Sequence, residues 1–194
     1  MKLLRYFETN DGSLPEIELI FSNPEKVSQA FELLLASDAR DVTAGGGSLW
    51  LKAHQKQKPF MGSGDAALVI ADIAEPFHVV LAGITSDGCT LPDLGVLVTQ
   101  SCLTIDYRMG HSWREAEVRS FLVVLKKLCE FGGTLSVPWW GTDGEQVFME
   151  AIRGTKQSVY GLSPQAVRIA FSILSSARLH SYIRPLLGTA LAIL

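Results

Sequence analysis

Between residues 41 and 109, apolar β-branched stretches follow one another with no interval long enough for a crossover helix. "AALVIADIA" (66–74) and "FHVVLAGI" (77–84) are separated only by Glu75-Pro76, and "GVLVTQ" and "CLTIDYRM" meet at Gln100-Ser101. Parallel neighbours need a connection of about a dozen residues or more, usually helical. The spacing therefore excludes a doubly wound parallel sheet. It predicts an α+β fold with a largely antiparallel sheet of about six to eight strands packed with helices.

The flanks supply the rest. "KLLRYFE" (2–8) and "EIELIF" (16–21) alternate as strands do, with "TNDGSLP" as the turn between them. "SNPEKVSQAFELLLAS" predicts a helix capped by Ser22 or Asn23, with Pro24 in its first turn and Val27, Ala30, Phe31 and Leu34 as its apolar stripe. "DVTAGGGSLWLKA" reads as a hairpin turning on its glycines, and "TSDGCTLPDLG" (85–95) as a loop. Ser112 and Glu115 have capping-box spacing ahead of a stripe of Val118, Phe121, Leu122, Leu125, Leu128 and Cys129, which Gly132-Gly133 ends. "TLSVPWW" suits an edge strand because Pro138 cannot donate to a ladder. Residues 143–194 read as helical, with segments near 144–153 and from Pro164 to Tyr182. With no repeat or linker composition, the expectation is one domain over 1–194.

Composition narrows the class. Of 194 residues, 47% are hydrophobic and 19% charged, enough to build a core. The net charge of −3 gives no bulk attraction to nucleic acid or anionic lipid. Charge is unevenly placed: residues 1–97 hold 13 acids and 7 bases, whereas Arg153, Lys156, Arg168, Arg178 and Arg184 follow Ala151 with no acid. We expect that basic helical end to lie against the acidic half of its own domain. No apolar run reaches the roughly 20 residues of a membrane span, and Arg5 and Glu8 interrupt any leader-like segment. Three cysteines without a C-x-x-C favour a reducing cytoplasm. The apolar end "LLGTALAIL" offers itself as a docked segment or a homo-oligomer interface.

The signatures of phosphate, dinucleotide, zinc-protease and serine-hydrolase sites are absent, so no cofactor is expected. His54, His78, His111 and His180 are scattered with no i, i+3 or i, i+4 pair, so no metal site is expected. His78, beside Val79 and Val80, reads as a core or face histidine. Cys89 differs from Cys102 and Cys129 in lying in a loop, but Asp87 and Asp93 beside it disfavour a thiolate.

Two stretches concentrate candidate contact residues. In "CLTIDYRMGHSW" (102–113), alternation puts Cys102, Thr104, Asp106 and Arg108 on one strand face and Leu103, Ile105, Tyr107 and Met109 on the core face. Asp106 and Arg108 are spaced to pair, Gly110 permits a sharp corner, and His111 stands just before the helix. In "SVPWWGTDGEQ", Trp139 and Trp140 would point to opposite faces of a strand, so one enters the core and the other becomes an interface anchor or is covered by the C-terminal helices. The candidate partner-binding residues are Asp106, Arg108, His111, Trp139 and Trp140.

This pattern fits a non-catalytic protein-binding protein, most concretely a bacterial immunity-type protein that neutralises a cognate toxin. The alternative is a small hydrolase or transferase whose pocket would gather Asp106, His111 and Cys89.

Overall fold

The structure, a computed structural model, describes residues 2–36 and 38–155. Chain contacts divide the protein into units 1–157 and 158–194, and the described residues belong to the first. The expected helix 164–182 and the apolar end 183–194 lie outside the described residues.

In chain order the elements are a 3-10 turn (Lys2–Tyr6), β1 (Glu16–Phe21), α1 (Pro24–Leu35), β2 (Arg40–Asp41), β3 (Ser48–Leu51), β4 (Lys56–Pro59) and α2 (Gly64–Ile70). They continue with β5 (Phe77–Ala82), β6 (Thr85–Ser86), β7 (Cys89–Thr90), β8 (Leu94–Val98), β9 (Cys102–Tyr107), α3 (Glu115–Glu130), β10 (Gly133–Ser136), a second 3-10 turn (Pro138–Trp140) and α4 (Gly141–Gly154). Six strands form one sheet in the order β10-β1-β9-β8-β5-β2, and every pairing in it is antiparallel. The expected α+β fold is thus the observed one.

Period-2 alternation divides this sheet into two faces. Ile17, Leu19 and Phe21, Phe77, Val79 and Leu81, Leu94, Val96 and Val98, and Leu103, Ile105 and Tyr107 are all buried on the inner face. The predicted stripe of α1 is buried against that face, and Asn23 caps the helix by accepting the Glu25 N–H at 3.0 Å. Burying a side chain such as Phe31 or Leu34 contributes about 2 kcal/mol. The stripe of α3 is buried from Val118 to Leu128.

Several expectations fail locally. Residues 2–6 form a 3-10 turn, not a strand, because Leu3, Tyr6 and Phe7 bury together at helical spacing. "AALVIADIA" supplies α2 instead of a central strand, since a short apolar run does not distinguish a buried helix from a strand. Asp65 opens that helix, almost fully buried, accepting the Met61 N–H at 2.6 Å and pairing with Lys58 of β4. The Gly45-Gly46 turn forms, at φ of +81° and +83°, but the strands flanking it do not pair with each other. β2 joins β5 while β3 pairs with β4 in a separate ribbon. The supposed loop at 85–95 holds a tight hairpin, β6–β7, turning on Asp87-Gly88 with both φ positive. The capping box of α3 sits two residues later than expected: the Arg114 N–H donates to the Glu117 carboxylate at 3.1 Å. β10 stops at Ser136, so Trp139 and Trp140 lie in a 3-10 turn, not a strand. There the Val137 N–H donates to Glu145 of α4 at 3.0 Å and its carbonyl accepts the Trp140 N–H, which blunts that end of the β10 edge.

Candidate functional site on the outer sheet face

The outer face carries Glu16, Glu18 and Ile20 from β1, Cys102, Thr104 and Asp106 from β9, Gly95 and Leu97 from β8, and His78 and Val80 from β5. Register sets Glu16 and Gly95 opposite Asp106, and Leu97 opposite both Thr104 and His78. Asp106 and His78 therefore belong to strands separated by β8, about 10 Å apart at the backbone. The Asp106 side chain nevertheless reaches His78, and its Oδ2 meets Nε2 at 2.7 Å.

Gly95 makes the crossing. A Cβ at this position would overlap the Asp106 carboxylate. Glycine inside a strand commonly marks a close approach of this kind. Asp106 thus pairs with His78, not with Arg108 as its spacing suggested. His78 lies on the exposed face, its side chain 43% accessible against 20% for Asp106.

Arg108 is exposed, and its carbonyl accepts the Trp113 indole N–H at 2.8 Å. Gly110 adopts φ +150° and donates its N–H to the Phe7 carbonyl at 2.7 Å, which ties the corner to the N-terminal turn. Trp113 then packs with Phe7, Tyr107 and Phe121. His111 is left outside, where it lines a depression of about 390 Å³ with Thr90, Ser112, Arg114 and Glu117. Arg114 holds the Glu117 carboxyl below its usual range. Cys89 is half-buried and precedes Thr90, but neither it nor Asp106 is among the lining residues of that depression. The structure therefore does not gather Asp106, His111 and Cys89 into that depression.

The two tryptophans part company. Trp140 packs edge-on against Tyr6 with ring centroids 4.8 Å apart, and its indole N–H donates to the Tyr107 hydroxyl at 3.2 Å. Trp139 is 53% exposed. The 3-10 turn that carries Trp139 follows β10 and packs against β1.

Burial pushes the Cys102 and Cys129 thiols up, against thiolate chemistry. Among the described residues no group of three His, Cys, Asp or Glu side chains could hold a metal ion, and no helix is long and apolar enough to cross a membrane. His78 was the functional candidate missed from sequence. Two signals pointed to it: the polar position in "FHVVLA" and the lone glycine in "LGVLV". Comparison with protein-family models, curated proteins and solved structures found no match.

Proposed function

We propose that this chain is a non-catalytic protein-binding protein, most concretely an immunity-type protein that neutralises a cognate toxin by direct contact. Two observations carry the reading: the Asp106–His78 pair held across Gly95 on the outer sheet face, with Glu16 opposite Asp106, and the exposed indole of Trp139 in the turn after β10. Fixed polar groups and exposed indoles are what protein interfaces use as anchors. Arg108 and His111 extend the candidate surface. The mildly acidic chain suits a basic partner better than nucleic acid. Three free thiols support the cytoplasm as its location. The enzyme reading keeps one supporting observation, the depression lined by His111 and Arg114.

The test is co-expression with the protein encoded beside it. The reading expects that protein to arrest growth alone, to be tolerated with this chain present, and to co-elute with it as a stoichiometric complex. Trp139→Ala should weaken the complex about 30-fold or more, the loss typical of a buried interface anchor. Growth arrest unrelieved by the chain, with no complex, refutes the reading.

A further inference from the structure

We propose that Asp106 fixes His78 as its Nε2–H tautomer, so that Nδ1 stands on the outer sheet face as an acceptor for an N–H or O–H donor of a bound protein. The second half of this rests on the protein-binding reading above; the first half does not.

The chemistry follows from the contact at 2.7 Å. An ionised carboxylate accepts hydrogen bonds and donates none, so the Nε2 facing it must carry the proton. A neutral imidazole has one N–H, so Nδ1 keeps its lone pair. Among the described residues nothing hydrogen-bonds Nδ1. Moving the proton to Nδ1 would face the Nε2 lone pair with the carboxylate. That loses a charge-assisted bond at a half-exposed site, disfavouring the alternative tautomer roughly tenfold.

Gly95 is the positioning residue. It touches neither ring nitrogen, yet any side chain there displaces the Asp106 carboxylate. The surroundings keep the pair simple. β9 presents Asp106, and β1 behind it presents Glu16, opposite Asp106, and Glu18. β8 presents only Leu97 and Gly95, β3 is uncharged, and β2 places Arg40 opposite Ala82, four residues along β5 from His78. β5 has no second titratable side chain. Glu75, which precedes β5, lies 3.8 Å from Lys52.

The bare Nδ1 thus suits a lysine, arginine or amide donor, on a face whose strands β1 and β9 hold only acids.

The test is long-range proton–nitrogen correlation of the His78 ring in the ¹⁵N-labelled full chain, alone. At pH 8 the wild-type ring should show a widely separated pair, Nε2 protonated and Nδ1 bare. Gly95→Ala and Asp106→Ala should each narrow that separation as the tautomers exchange, while the amide spectrum stays that of a folded chain. The two variants remove the contact from opposite sides, so one of them folding is enough. A wild-type ring that already averages, or carries its proton on Nδ1, overturns the proposal. With the toxin complex in hand, His78→Ala should bind at least tenfold more weakly than wild type, whereas His78→Gln, which retains an acceptor, should stay within about threefold of it. Equal losses in both variants overturn the acceptor role, whereas absence of any complex counts against the binding reading and leaves the tautomer result standing.

Discussion

Replacing Tyr107 by Phe removes one oxygen from a central ring of the core. Tyr107 is fully buried. Its hydroxyl donates to the Tyr6 carbonyl at 2.9 Å and accepts the Trp140 indole N–H at 3.2 Å. The ring contacts, stacked on Phe7 at 4.6 Å and edge-on to Trp113 at 5.4 Å, survive the substitution. The loss is therefore polar. A net hydrogen bond contributes about 0.5–1.5 kcal/mol, and a buried group left unpaired costs about 1–3 kcal/mol. The Tyr6 carbonyl has no ready substitute, whereas the half-buried Trp140 can turn to water. The expected destabilisation is about 2 kcal/mol, which lowers Tm by roughly 4–8 °C in a unit of this size. The pH dependence gives a second handle. Burial raises the Tyr107 pKa above its ordinary 10.0, with the Trp140 bond opposing in part. The folded state keeps a proton that the unfolded chain gives up, so this group's contribution is complete below pH 10 and shrinks above it. The slope approaches about 1.4 kcal/mol per pH unit. Tyr107→Phe lacks that slope, so its stability deficit should narrow between pH 10 and 11. Urea unfolding followed by tryptophan fluorescence at pH 7, 10 and 11 measures both effects. A deficit under about 0.5 kcal/mol at pH 7, or curves that stay parallel to pH 11, would refute the reasoning.

Asp65→Ala should cost about 2 kcal/mol in the same unfolding assay, because it strands the Met61 N–H and removes the partner of the less buried Lys58; a neutral result would show that water replaces the carboxylate. Glu117, lowered from 4.5 chiefly by Arg114, contributes stability at neutral pH that is lost as pH falls below its unfolded value through its folded one. Glu117→Gln should therefore be less stable than wild type at pH 7 and approach it near pH 3 in acid titrations of stability. Trp139→Ala should leave stability within about 0.5 kcal/mol, whereas Trp140→Ala should lose about 2–4 kcal/mol through its packing on Tyr6 and its bond to Tyr107; equal effects in thermal melts would mean the two indoles have been assigned the wrong roles.

Much of the site was legible, and its gaps have physical causes. Alternation in residues 102–109 assigned Asp106 to the outer face because a one-residue shift would have buried a carboxylate and exposed Tyr107. It did not find the partner of Asp106. Arg108 is two residues away in sequence, but Asp106 instead crosses β8 to His78, a contact set by register and by a missing Cβ. Trp139 and Trp140 were expected to diverge, and they do, though through a 3-10 turn that begins at Pro138.

What the sequence by itself determined is the class of fold and the sidedness of its strands. Short apolar runs without crossover helices leave an antiparallel sheet, and period-2 patterning decides which residues enter the core. Tertiary structure decided what periodicity leaves degenerate. It made "AALVIADIA" the helix α2 and parted β2 from β3 across the glycine turn. It also brought Asp106 to a histidine 28 residues away in the chain. Local pattern records a residue's face, whereas strand order decides who stands across from it.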